Sequence, residues 1–216
     1  MIKAVFVTGG TGYIGRPLVA ALLERGHRVV ALVRRGSEDK IPGGALPVFG
    51  DALDPSTFES SFPRGATLVH LIGTPHPNPT KAAEFRRVDL ASIRASTTAA
   101  VRAGAHHVVY VSVAHPAPMM REYIAVRQEG EALVNATGIR STILRPWYVL
   151  GPGHRWPYLF VPVYAALRHV PATRDDAERL GLVTRSAMVA ALVSAIETPP
   201  AAGVKIMNVP AIRRLR

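Results

Sequence analysis

The 216-residue sequence contains no cysteine. That excludes disulfides, thiolate-held zinc, iron–sulfur clusters and a cysteine nucleophile. Acidic residues are also few, 15 against 26 basic ones, which leaves a formal net charge of +11. Lysine is nearly absent: Lys3, Lys40, Lys81 and Lys205 are the whole complement, and arginine supplies the rest. These arginines are scattered among alanines from end to end. No block of like charge and no basic stripe interleaved with aromatics appears, so no nucleic-acid partner is expected. Long apolar runs are missing too. The longest, Trp156 to Leu167, is 12 residues with two prolines, whereas a spanning helix needs about 20. No transmembrane segment is expected, although that aromatic run would suit a peripheral membrane contact. The start, Met1-Ile2-Lys3-Ala4-Val5-Phe6-Val7, runs straight into a glycine-rich turn, unlike a secretory leader, and predicts a cytoplasmic protein.

What is present is an alternation of short β-branched runs with longer helical segments, the pattern of βαβ units around a parallel sheet. Strands are expected over Ile2–Thr8, Arg28–Val33, Leu46–Phe49, Thr67–Ile72, His107–Val113, Ser141–Leu144 and Val204–Val209. Most lack polar alternation, as strands covered on both faces should. Helices are expected over Ile14–Arg25, Pro55–Ser61, Lys81–Ala103, Met120–Ala136 and Ser186–Glu197. The fold class is therefore α/β, a doubly wound (Rossmann), mostly parallel sheet with helices on both faces. Residues 1–216 form one domain. Both tryptophans and three of the six tyrosines fall between Trp147 and Tyr164. Residues 147–185 are thus expected to form a small aromatic-rich lobe beyond the carboxyl ends of the strands, where open α/β sheets bind ligands.

The first strand ends in Thr8-Gly9-Gly10-Thr11-Gly12-Tyr13-Ile14-Gly15 and opens a helix. Such a turn brings backbone N–H groups to a pyrophosphate at the helix N-terminus, and its last glycine permits close helix–strand packing. The second strand should indicate which dinucleotide is held. An NAD site usually ends that strand in a carboxylate that bonds the ribose hydroxyls. Here it ends in Arg34-Arg35, two planar forks suited to a 2′-phosphate. NADP(H) is favoured over NAD(H).

With Gly50-Asp51-Ala52-Leu53-Asp54, Leu71-Ile72-Gly73, Tyr110-Val111-Ser112, Tyr123-Ile124-Ala125-Val126-Arg127 and Leu144-Arg145-Pro146…Gly151-Pro152-Gly153, the chain resembles the short-chain dehydrogenase/reductase superfamily. The resemblance is to its extended and atypical branches, the epimerase-like and NmrA-like NAD(P)-binding proteins, and covers nearly the whole sequence. It implies cofactor contacts by Gly9, Gly10, Thr11, Gly12, Tyr13, Ile14 and Gly15. It also implies contacts by Arg34, Arg35, Asp51 (to the adenine amine), Ala52, Ile72, Gly73 and, beside the nicotinamide, Pro146. The family's reductases carry Tyr-x-x-x-Lys on one helix face. This chain has Tyr123 with Arg127 in the lysine position. Arginine keeps the positive charge but effectively never releases its proton, so a lysine-linked relay is lost. Ser112 is the nearest hydroxyl for a supporting role, and Val113 stands where the family's catalytic hydroxyl aligns.

The expected activity is hydride transfer between NADP(H) and a small or medium, apolar carbonyl or alcohol. Tyr123 would be general acid/base, Arg127 would hold the cofactor and Ser112 would assist. A non-catalytic dinucleotide sensor or assembly factor, and a nucleotide-sugar epimerase or dehydratase, are the alternatives. The histidines lack metal-ligand spacing, and His76 and His115 are expected to be exposed loop residues. There is no G-x-S-x-G elbow and no P-loop lysine.

Overall fold

The computed structural model describes residues 1–152 and 179–215. Seven strands form one parallel sheet: β1 (Ala4–Thr8), β2 (Arg28–Val33), β3 (Leu46–Phe49), β4 (Thr67–His70), β5 (His107–Val111), β6 (Ser141–Arg145) and β9 (Val204–Asn208). Their order is β3-β2-β1-β4-β5-β6-β9. The chain runs outward from β1 to β3, then returns to lay β4 on the other side of β1. That reversal opens a crevice at the carboxyl ends of β1 and β4. A separate parallel pair joins β7 (Tyr148–Leu150) to β8 (Leu182–Thr184).

Two apolar layers cover the sheet because its strands are apolar on both faces. On one side Val5, Val7, Val69, Val109 and Leu144 pack against α1 (Gly15–Glu24) and α5 (Arg185–Glu197). On the other, Phe6, Leu68, Val108, Tyr110 and Ile143 pack against α3 (Ala91–Arg102) and α4 (Arg121–Ala136). A short helix, α6 (Val209–Arg213), follows β9. No described helix is long and apolar enough to cross a membrane.

Two expected helices take a different form. Pro55–Ser61 is a pair of 3₁₀ turns, Pro55–Thr57 and Glu59–Ser61. The Asp54 side chain caps the first by accepting from the Ser56 amide at 3.0 Å. Phe58 leaves helical geometry at φ −142° between the turns. Phe58 and Phe62 can then both stack on Phe6, at 5.9 and 4.4 Å between ring centres. The expected Lys81–Ala103 helix begins with α2 (Ala82–Glu84), continues as a π-helical segment over Phe85–Leu90 and then becomes α3. The π segment turns Phe85, Asp89 and Leu90 inward together. The strand expected to reach Ile72 stops at His70, and the one expected to reach Val113 stops at Val111. The backbones beyond them form the ligand-side loops. Of the aromatic lobe, only residues 147–152 and 179–185 are described; Trp156 and Tyr158 to Tyr164 lie outside the described residues.

Candidate functional site

The glycine turn is packed too tightly for side chains. Gly9 has φ +79°, and a Cβ there would lie 3.0 Å from the Leu71 carbonyl carbon and 3.1 Å from the Ile72 nitrogen. The turn is thus pressed against the backbone that follows β4. A Cβ on Gly15 would overlap the Gly9 oxygen and the Gly10 backbone. The Gly12 amide donates to the Gly9 carbonyl at 3.0 Å, which closes the turn and starts α1. Ile14 takes helical angles without a side-chain cap, and the Arg16 amide donates to the Gly12 carbonyl at 3.1 Å, which leaves the amides before it to face a ligand. Thr11, Gly12 and Tyr13 also line a depression of about 500 Å³ with Arg16 and Arg185. The Arg185 guanidinium sits 5.1 Å over the Tyr13 ring.

β2 lies beside β1 with Leu32 opposite Thr8, so Arg34 emerges next to the glycine turn. Both Arg34 and Arg35 are exposed, and the Arg35 guanidinium stands 5.4 Å from the Phe49 ring. No carboxylate follows Val33 before Glu38. Asp51 and Ala52 follow β3. Asp51 Oδ1 accepts from the Leu53 amide at 2.9 Å, and the Asp51 amide donates to Thr57 Oγ1 at 2.9 Å. These bonds fix the loop beside the arginine pair, while Ala52 turns towards the apolar layer.

The structure gathers Ile72, Gly73, Ser112, Pro146, Tyr123 and Arg127 at the carboxyl ends of β4, β5 and β6. Ser112 extends the β5–β6 pairing by one bond, its amide reaching the Leu144 carbonyl at 2.8 Å. Its Oγ is buried and has no partner among the described residues. The next bond of the ladder joins the Ala114 amide to the Pro146 carbonyl at 2.8 Å. Tyr123 is half-buried, edge-on to Phe85 at 5.0 Å.

Arg127 is buried, and its guanidinium is held on several sides. Nη2 meets Asp89 Oδ1 at 2.7 Å, and Nη1 donates to the Val111 carbonyl at 3.0 Å and towards the Ile72 carbonyl at 3.5 Å. The Tyr123 ring lies 5.1 Å away and the Tyr110 ring 6.0 Å. Burial works against its charge, but Tyr123, Tyr110 and Asp89 outweigh burial and raise its pKa above the usual arginine value. Gly73 makes room for this group, since a Cβ there would strike Nη2. The sequence reading of Arg127 as a cofactor contact thus meets a side chain already committed to Asp89, its Nε unpartnered among the described residues.

Sequence reasoning missed the other half of this assembly. Asp89, 2% exposed, also accepts from the Thr74 amide at 2.9 Å and the Thr74 hydroxyl at 2.6 Å. Next to it lies His70, fully buried. His70 Nδ1 is 2.9 Å from Thr8 Oγ1 and 3.1 Å from Ser96 Oγ. Burial, then the nearby Arg127 charge, push its pKa down to about 3. A signal existed: Phe85, Asp89, Ile93 and Ser96 recur at helical spacing on an otherwise apolar face, which points the carboxylate inward. His115 is a correction. Its side chain is 14% exposed rather than free in solvent, 3.5 Å from the buried Glu131 carboxylate. Glu131 also takes two bonds from Arg145, at 2.9 and 2.5 Å. The buried pair Asp89–Arg127 thus joins α4 to the π segment, and the part-buried pair Glu131–Arg145 joins α4 to the end of β6.

The family model described as NAD(P)H-binding matches residues 9–199. The chain belongs to that NAD(P)H-binding family. Within it, the chain falls in the atypical branch of the short-chain dehydrogenase/reductases. It is 29% identical over 207 residues to a ceramide reductase of Caulobacter vibrioides, covering 95% of this chain and 64% of that protein. It is 32% identical over 168 residues to a 4-hydroxy-2-methyl-3-oxo-4-farnesyl-3,4-dihydroquinoline-1-oxide ketoreductase of Stigmatella aurantiaca, covering 68% and 50% respectively. Among solved structures, MoeE5 in complex with UDP-glucose and NAD superposes with a TM-score of 0.71 at 25% identity, over 95% of this chain and 75% of that one. This NAD(P)H-binding chain therefore spans half to just under two thirds of the length of those two curated relatives.

The residues present fit the dinucleotide. The glycine turn is a backbone cradle that a Cβ at Gly15 would fill, and Gly73 is exposed at the neighbouring strand end. Ser112 Oγ and Arg127 Nε, towards the same end of the sheet, are buried polar atoms without partners among the described residues. Among the described residues no group of three His, Asp or Glu side chains could hold a metal ion.

Proposed function

We propose that this protein is an NADP(H)-dependent oxidoreductase acting on a small or medium, apolar carbonyl or alcohol. One observation carries the reading: the Ser112 hydroxyl is buried and unpartnered among the described residues, one residue past the Val111 carbonyl that Arg127 bonds and on the ladder that continues to the Pro146 carbonyl. A buried hydroxyl without a partner is costly unless a ligand completes it. The glycine turn, Asp51, Ala52, Ile72, Gly73 and Pro146 would hold the dinucleotide. Arg34 and Arg35 would clasp the 2′-phosphate. When bound, the nicotinamide supplies or accepts the hydride. Tyr123 then gives or takes the proton at its phenol oxygen, Ser112 orients the substrate oxygen, and Arg127 holds the Tyr123 ring in place. The half-exposed Trp147 and Tyr148 rings, 5.7 Å apart just after the Pro146 turn, favour an apolar substrate. So do the lipophilic substrates in the names of the two curated relatives.

The test is hydride transfer from NADPH to a panel of apolar ketones and aldehydes. Tyr123→Phe should lower kcat by at least about 100-fold and leave NADPH affinity unchanged. Unchanged turnover would remove Tyr123 from the chemistry. The commitment of Arg127 to Asp89 favours a second reading, a dinucleotide-binding sensor. Tight NADPH binding with no turnover across the panel would support it.

A further inference from the structure

The opposite pole of the sheet carries a second concentration of positive charge. Lys3, Arg28, Arg64 and Arg140 line, with His106 and Glu197, an open depression of about 870 Å³ at the amino ends of the strands. Glu197 is the only carboxylate in that lining, and it already faces Arg25 at 3.5 Å and His27 at 3.2 Å. Lys3 Nζ donates to the Ile196 and Glu197 carbonyls at 2.7 and 3.0 Å, so it caps α5. Arg140 Nε donates to the His106 carbonyl at 2.7 Å. Arg28 and Arg64 are exposed and meet no carboxylate within salt-bridge distance among the described residues.

Deeper in the sheet, beneath the depression and outside its lining, lie two buried polar side chains. Thr67 and His107 are register partners at the starts of β4 and β5, and both are fully buried. Thr67 Oγ1 and His107 Nδ1 have no partner among the described residues. Val5 pairs with Thr67, so Lys3, two residues before it, shares their face. The Val108 amide bonds the Arg140 carbonyl, which brings Arg140 beside His107. The crowding registers on Lys3, whose pKa is lowered by burial and then by Arg140. Four cations line this one depression, and the one carboxylate among its lining residues is already engaged, so the local field attracts an anion.

We propose that this pole is a second ligand site, which takes a phosphate-bearing small molecule. Guanidinium forks match phosphate oxygens two at a time, and the depression is large enough for a phosphate monoester with a modest organic part. Strands of about five residues at roughly 3.3 Å per residue separate it from the dinucleotide end by about 15 Å. This inference goes beyond the oxidoreductase reading and does not depend on it.

The experiment titrates inorganic phosphate by calorimetry into protein with and without saturating NADPH, at constant ionic strength. Phosphate should bind in both states. An Arg28→Gln/Arg64→Gln variant should bind it at least tenfold more weakly while keeping NADPH affinity within twofold. Arg34→Ala/Arg35→Ala should show the reverse. Three results would overturn the proposal: no phosphate binding once NADPH is saturating, undiminished binding by the Arg28/Arg64 variant, or Arg28/Arg64-dependent adsorption to phosphatidylglycerol vesicles without binding of free phosphate. The last would make the pole a membrane contact instead.

Discussion

Arg127→Met is expected to destabilise the protein by about 3–5 kcal/mol, the cost typical of leaving one partner of a buried ion pair alone. The arginine is 5% exposed and its partner Asp89 is 2% exposed. Methionine would fill much of the volume but leave Asp89 Oδ1 facing apolar side chains and the Val111 carbonyl without its donor. Thr74 would still satisfy Oδ2, so the loss falls on Asp89 Oδ1 with its charge and on the Val111 carbonyl. The double variant Arg127→Met/Asp89→Leu should recover a large part of the loss, because it removes the stranded charge with the donor. Arg127→Lys restores the Tyr-x-x-x-Lys pattern but not the fork that spans Asp89 and two backbone carbonyls, and should fall between. Urea unfolding checks the series. A wild-type midpoint for Arg127→Met would show that the pair contributes nothing and would free Arg127 for a direct cofactor role.

Acid sensitivity is the second large effect. Burial, then Arg127, hold the His70 pKa near 3. Burial, then His106, Arg140 and Lys3, hold that of His107 near 3 as well. Both imidazoles stay neutral in the folded chain, whereas in the unfolded chain each takes a proton as pH falls through about 6.5. Between about pH 6.5 and pH 3 the unfolded state therefore binds more protons, and stability rises with pH across that window. The contribution is complete above pH 6.5, is reduced by roughly 2 kcal/mol per histidine at pH 5, and is lost by pH 3. Unfolding free energies of His70→Asn and His107→Asn, measured from pH 7 to pH 4, should each show a shallower slope than wild type. Parallel slopes would mean that these rings exchange protons freely in the folded protein.

Much of this architecture is legible in the sequence because the relevant constraints act on the backbone. A turn in which a Cβ at Gly15 would overlap Gly9 and Gly10 accepts only glycine, so the phosphate turn announces itself. Strands covered on both faces are mostly apolar, which reveals the sheet. The end of β2 is placed correctly by its apolar run, and Arg34 and Arg35 emerge there exposed. Tertiary partners are less visible. Nothing local says that Asp89 will meet a residue 38 positions later; the π segment over Phe85–Leu90 turns it inward, and the match with Arg127 is made by folding. Likewise His115 reads as a polar loop residue until β6 and α4 bring Arg145 and Glu131 beside it. The Pro55–Ser61 stretch has helical spacing, but stacking two phenylalanines on Phe6 outweighs helix continuity.

The central claim is that the glycine turn and the paired arginines bind a dinucleotide with a preference for the 2′-phosphate. Calorimetric titration of the protein with NADPH and with NADH tests it most directly. The account predicts one site per chain, with NADPH tighter by about tenfold or more, the scale of 1.4 kcal/mol expected of charge-assisted phosphate bonds. It also predicts that Arg34→Ala/Arg35→Ala abolishes the difference. Binding of neither dinucleotide, or NADH bound as tightly as NADPH, would contradict it.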